Sequence, residues 1–275
     1  MSRLALTLWA IVAALFTVSL LIGPAEATIG HSLRALVAGD GGPMTVVMRE
    51  IRLPRALLAV LIGGSLGLAG AAMQGYLRNP LADPGLIGVS GSAALGAVIS
   101  IQTGLAAAFF LALPLMALVG ALTGVLLVLL LAGPRGSSLA LILAGIAISA
   151  FAGALTSLVL NLSPNPYAAS EIVFWMMGSL ADRSMLHVWI SLPLIVLGAG
   201  LLATLSRGLD ALTLGEDAAE AMGVNLTRLR LSVILGTAAV VGASTAVAGA
   251  IGFVGLVMPH LLRGFVQARP GALLW

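Results

Sequence analysis

Apolar runs at residues 4–22, 56–77, 85–101, 105–132, 138–160, 186–205 and 231–249, with a shorter one at 251–266, leave this chain few ways to fold. Several reach the ~20 apolar residues needed to cross a bilayer core. In lipid a segment of that length is stable as a helix, because its amides and carbonyls then bond to one another. Charged residues make up 8% of the 275, where a soluble domain carries about 25%. The fold class is therefore all-α: a polytopic transmembrane helical bundle of about eight spans in a single domain over 1–275. The stretch EIVFWMMGSL at 171–180 is too short to span and reads as a re-entrant or interfacial helix. Residues 23–53 are mixed and Gly-rich, an external loop with some helix. Ala25-Glu26-Ala27 mimics a small-residue cleavage site, but the run before it is longer than a usual signal-peptide core and more spans follow, so it reads as a first membrane helix.

What the chain lacks also restricts it. There is no cysteine, which removes disulfides, thiol catalysis and Cys-ligated metals. All 13 basic residues are Arg. Without Lys the chain cannot be a Walker-type ATPase or a Schiff-base enzyme by itself. Its net charge of +3 implies no nucleic-acid binding. His31, His187 and His260 show no metal spacing, so no metal site, cofactor or catalytic residue is assigned.

Small residues recur at four-residue spacing: Gly63, Gly67 and Ala71; Gly145, Ser149 and Gly153; Gly242, Ala246 and Ala250. That pattern predicts close helix packing, since helices in lipid associate through small residues rather than through hydrophobic gain. With the N-terminus inside, Arg3, Arg78, Arg135, Arg207, Arg228, Arg230, Arg263 and Arg269 fall on the cytoplasmic side. Arg34, Arg49, Arg52, Arg55 and Arg183 fall outside, a modest positive-inside bias.

Three polar features interrupt the apolar runs. The densest is TLGEDAAEAMGVNLTRLR at 213–230, which reads as two short helices. Thr213 and Glu216 fit a capping box, Gly223 can end the first helix in a left-handed turn, and Asn225 can cap the next. A shaped, mixed-charge cytoplasmic loop suits docking to a soluble protein. The second feature is the external cluster Arg49, Arg52 and Arg55, explained either by an acidic external partner or by snorkelling to headgroups. The third is YLRNPLADPGLIG at 76–88, where Asn79-Pro80 and Asp83-Pro84-Gly85 break helix in a tight structural turn, with Asp83 as cap. Pro259 kinks the short run at 251–266, and His260 either packs there or lines a pathway.

DAAEAMG at 217–223 is similar to the loop by which ABC importer permeases grip their ATPase subunits. IRLPRALLAVLIGGSLGLAGAAMQGYLRNPLADPGLIGVSGSAALGA at 51–97 resembles the signature of the FecCD-type permeases, importers of iron–siderophore, haem or cobalamin. EIVFWMMGSL, LTLGEDAAEAMGV and VAGAIGFVGLVMPHLLR resemble later signatures of that family, in its order. The resemblance covers essentially the whole chain. It implies a permease subunit in the bacterial inner membrane, a homodimer working with a cytoplasmic ATP-binding subunit and a periplasmic substrate-binding protein. Gly215, Glu216, Asp217, Ala218, Ala219, Glu220, Ala221, Met222, Gly223 and Val224 would then form the coupling segment. Arg52 and Arg55 would contact the binding protein, and substrate would pass between two protomers. Gln74, Ser90, Ser92 and His260 are candidates for lining that path. Iron–siderophore is the first substrate choice, on how often the family carries it.

The resemblance also implies ten spans, so the chain is expected to stop about two helices short of the family's length and to be inactive alone. An inactive remnant is one alternative function. A secondary transporter is another, but it would need ionisable groups at mid-membrane. An intramembrane enzyme would need paired acids, a Ser-His arrangement or a metal cluster.

Overall fold

The computed structural model describes residues 3–23, 28–38, 41–133, 136–163, 166–267 and 269–274. The Ala25-Glu26-Ala27 stretch and Arg135 lie outside the described residues. In chain order the helices are α1 (Arg3–Leu21), α2 (Ile29–Ala38), α3 (Pro43–Val46) and α4 (Leu53–Tyr76), then α5 (Val89–Gln102), α6 (Leu105–Ala108), α7 (Ala112–Ala132) and α8 (Ser138–Asn161). They continue with α9 (Pro166–Met176), α10 (Met185–Ala203), α11 (Ser206–Leu212), α12 (Glu216–Ala221), α13 (Leu226–Ala248) and α14 (Val254–Arg263). A π-helical turn, Val47–Arg52, joins α3 to α4, and short 3-10 turns cover Pro84–Ile87, Gly264–Val266 and Pro270–Leu274. No strand occurs among the described residues.

Six of these helical stretches are long and apolar enough to cross a membrane: Arg3–Leu21, Pro43–Tyr76, Ala112–Ala132, Ser138–Asn161, Met185–Ala203 and Leu226–Ala248. The runs expected at 85–101 and 251–266 are helical too, but shorter. At 1.5 Å per residue the 14 residues of α5 rise only about 21 Å, less than the ~30 Å of hydrocarbon. The half-length apolar stretch becomes α9, an 11-residue helix. The longest span, Pro43–Tyr76, stays continuous through Pro54, which has no amide proton. The π turn just before it makes this possible, with the Leu53 amide donating to the Met48 carbonyl five residues back.

Helix α13 is the hub. It packs against α10, α4, α7 and α5, and 72% of its most apolar window is buried. Helix α5 is sandwiched between α7 and α8, and α14 lies along α4. Helix α1 is peripheral, with only 6% of its window buried. Leu130, Leu131 and Leu197 point outward, as lipid-facing side chains do at no hydrophobic cost.

Small residues make the closest helix contacts, though not all at the expected positions. A Cβ on Gly96 would run into the Met116 carbonyl, and one on Gly120 into the Ser92 carbonyl, so α5 and α7 meet backbone to backbone. Gly70 meets the Gly255 carbonyl in the same way, and Gly198 faces Gly236 across α10 and α13. Of the glycines singled out by spacing, Gly145 lies against the Leu86 carbonyl, and a Cβ on Gly242 would come 3.1 Å from that of Ala121. Gly63, Gly67 and Gly153 have open space instead. Spacing marks a small-residue face but cannot say which helix comes to meet it.

Candidate functional site

The polar island folds as a compact unit between two spans. Two residues separate α10 from α11, a short turn leads to α12, and four residues separate α12 from α13. Gly215 is the N-cap of α12 at φ +107°, a conformation that an L side chain adopts only with strain. The expected capping box does not form. Thr213 instead donates its hydroxyl to the Asp210 carbonyl at 2.6 Å, closing α11. A polar residue three positions before an acid fits two roles, and here the end of the preceding helix took it.

The other end of α12 is as the sequence predicts. Gly223 has φ +86°, its amide donates to the Glu220 carbonyl at 2.8 Å, and the Val224 amide reaches the Ala219 carbonyl at 3.0 Å. These are the two bonds of a Schellman closure. Asn225 then accepts from the Arg228 amide at 2.8 Å and starts α13. Ala219 is fully buried and anchors the hairpin, while Leu214 and Met222 are 68% and 63% exposed beside Glu216, Asp217 and Glu220. The result is a compact knob with acidic sides and two apolar tips.

Two further contacts tie the knob to the bundle. Asp210 accepts from Arg269 at 2.9 Å and from the Gly271 amide at 2.8 Å, and Ser206 donates to the Gly271 carbonyl at 3.0 Å. The 3-10 turn Pro270–Leu274 is thereby pinned across α11 and rests on α4. Arg78 lies 3.7 Å from Glu216, an exposed pair worth roughly 0–1 kcal/mol. Arg78 itself sits at φ +50° and closes α4 in a second Schellman turn, its amide toward Gly75 and that of Asn79 toward Gln74.

The 76–88 turn is held locally. Asn79 accepts from the Leu81 amide at 2.9 Å and Asp83 from the Gly85 amide at 2.7 Å, just before Pro84 opens the 3-10 turn. Pro80 lies between them and Pro84 is buried.

Gln74, proposed from sequence as a pathway residue, is 1% exposed inside the protomer. Pro259 has no amide proton for the Gly255 carbonyl four residues earlier. Gln74 Nε2 lies 3.5 Å from that oxygen and 3.0 Å from the Leu256 carbonyl, while its Oε1 accepts from Arg263 at 3.0 Å. Its amide thus bolts α4 to the kinked α14. Ser92 is buried against Gly124, which leaves Ser90, half-buried, and His260, exposed, as the two pathway candidates with accessible surface.

The arginines of the 49–55 cluster divide by role. Arg49 donates to the Leu36 and Val37 carbonyls, both at 2.9 Å, and caps α2. Arg52 is 7% exposed and donates to the Leu21 carbonyl at 2.9 Å and the Leu20 carbonyl at 3.4 Å, capping α1. Within the protomer Arg52 is thus a helix cap, its charge meeting the orphan carbonyls of a helix end while its Nη2 has no partner. Arg55 alone of the three is exposed. Among the described residues no group of His, Asp or Glu could hold a metal ion.

Comparison with known proteins adds a lineage to this geometry. Residues 11–275 match the model of the FecCD transport family. The chain is 39% identical over 231 residues to an uncharacterized ABC transporter permease protein, YvrB, of Bacillus subtilis (strain 168), covering 82% of this chain and 65% of the relative. It is 39% identical over 263 residues to the ferric enterobactin transport system permease protein FepD of Escherichia coli (strain K12), covering 91% of this chain and 75% of FepD. The chain therefore spans about two thirds to three quarters of the length of these relatives. A solved structure, described as an inward-facing conformation of an ABC transporter assigned to the metal-chelate type, superposes with a TM-score of 0.87 at 32% identity, over 99% of this chain and 84% of that one.

Proposed function

Because this chain belongs to the FecCD transport family, we propose that it is the membrane-spanning permease subunit of a bacterial binding-protein-dependent ABC importer for a metal chelate. It sits in the inner membrane with its N-terminus in the cytoplasm. The observation that carries this reading is the knob formed by α11, α12 and the start of α13. A connector between spans can do without a buried anchor, a Schellman closure and apolar tips; α12 has all three, and they suit a segment gripped by a second protein. Gly215 to Val224 is the segment gripped, and the partner is a cytoplasmic ATP-binding subunit, since a chain without Lys has no P-loop of its own. Movement of that subunit on ATP binding and hydrolysis tilts α10 and α13, the two spans that the knob joins.

The remaining roles follow in proportion to what supports them. A second copy completes the pathway, substrate passing between two protomers without covalent chemistry. Arg55 steers a periplasmic substrate-binding protein by charge, an effect on encounter more than on affinity. Iron–siderophore is the first choice of cargo, given the likeness to FepD, with haem and cobalamin as alternatives within the family.

Co-purification tests the reading. An ATP-binding subunit encoded beside this chain should co-purify with it. Met222→Arg, a change at an exposed tip, should abolish capture while leaving the thermal unfolding midpoint of the permease unchanged. Capture undiminished by Met222→Arg would remove α12 from the contact.

A further inference from the structure

Between the knob and the spans lies a cavity of about 390 Å³, which shares Glu216 and Glu220 with the coupling segment. Tyr76, Ser137, Ser138, Thr227 and Arg230 line it, together with Glu216 and Glu220 of α12. Arg230 is only 5% exposed. Its Nη1 donates to the Gly136 carbonyl at 2.6 Å, but Nε and Nη2 are buried without a partner. Burying guanidinium donors with nothing to receive them is costly, so the geometry calls for an acceptor. Ser138 beside it is the first residue of the 24-residue α8, whose N-terminal amides carry the positive end of the helix dipole. That wall suits an anion.

The opposite wall suits a cation. Glu216 and Glu220 stand four residues apart on one face of α12, where like charges repel; Arg78 lies 3.7 Å from Glu216, and among the described residues no ion pair reaches Glu220. The cavity also has a defined depth. Tyr76 ends α4, Ser138 begins α8, and Leu226, Thr227 and Arg230 lie in the first turns of α13. Three spans start or stop here, which puts the cavity at the headgroup level of one membrane face.

We propose that this cavity binds a phosphoryl-ammonium group, the phosphate on Arg230 and the α8 N-terminus and the primary ammonium on Glu216 and Glu220, supplied by the headgroup of phosphatidylethanolamine. The inference rests on the cavity and on its place at the membrane face, and holds whatever the chain transports. Occupied, the headgroup links α8, α12 and α13 at the root of the knob.

Native mass spectrometry of the delipidated protein tests it, with phosphatidylethanolamine, phosphatidylglycerol, soluble glycerophosphoethanolamine and inorganic phosphate added separately. The lipid bearing the ammonium should be retained at least about tenfold more strongly than phosphatidylglycerol, the weight of one charge-assisted contact. Arg230→Gln should reduce that retention about tenfold. Glu216→Gln with Glu220→Gln, two exposed positions that the fold tolerates, should erase the preference between the two lipids. Tight binding of glycerophosphoethanolamine without the lipid would keep the chemistry and assign it to a solute. Phosphatidylglycerol or inorganic phosphate retained as well as phosphatidylethanolamine would overturn the proposal, as would no retention of any of the four.

Discussion

Arg49, Arg52 and Arg55 recur every third residue, yet do three different things. The first two close the ends of α2 and α1, whose last carbonyls have no partner within their own helices. Only Arg55 faces outward. Arg52→Ala should therefore lower stability by about 1–3 kcal/mol through lost charged hydrogen bonds, read as a lower thermal unfolding midpoint in detergent. Arg55→Ala should leave that midpoint where it was. Equal effects of the two changes would refute the division. The cluster was legible in the sequence, but its division was not. Arg52 bonds to Leu21, 31 positions earlier, and no local pattern predicts which distant helix end will arrive beside a given guanidinium. Gln74 shows the same limit. Its type and its place in an apolar run mark it as notable, but the carbonyl it bonds belongs to α14, 182 residues later.

At the scale of elements, local signals read well and tertiary ones read poorly. Gly223 and Asn225 end and start helices where their chemistry says they should, because both act within four residues of themselves. Each of the eight apolar runs is mostly helical, since in lipid little else satisfies the backbone, although 105–132 divides into α6 and α7 at an extended Phe109. The contacts between helices are where spacing alone fails: Gly70 and Gly255 touch, while Gly63 and Gly67 face open space. Gly70→Ala should thus push α4 off α14 and cost about 1–3 kcal/mol by overpacking. Gly63→Ala should be neutral or slightly stabilising, because alanine is the better helix former. Thermal unfolding of the two variants side by side decides this, and a Gly63→Ala as harmful as Gly70→Ala would contradict the packing.

At the scale of the whole molecule, the two polar ends are joined through the buried helices. Arg55 stands at the start of α4, and the far end of that helix meets the knob through Arg78 and Glu216. The hub helix α13 grows directly out of the knob. A force applied to α12 would thus enter the most buried span first, the arrangement that the proposed coupling role requires. The family likeness was legible because it lies in four ordered motifs along the sequence. The cavity at Arg230 was not, because its walls come from four separate segments and only folding brings them together.

The most direct measurement uses the absence of cysteine from the sequence. Two single-cysteine proteins, Met222→Cys and Arg55→Cys, would each be co-expressed with the ATP-binding subunit proposed as the partner and treated with a short thiol-to-amine cross-linker. The account predicts that Met222→Cys links to the ATP-binding subunit and Arg55→Cys does not. Linking through Arg55→Cys, or none through Met222→Cys in a complex that co-purifies, would contradict it.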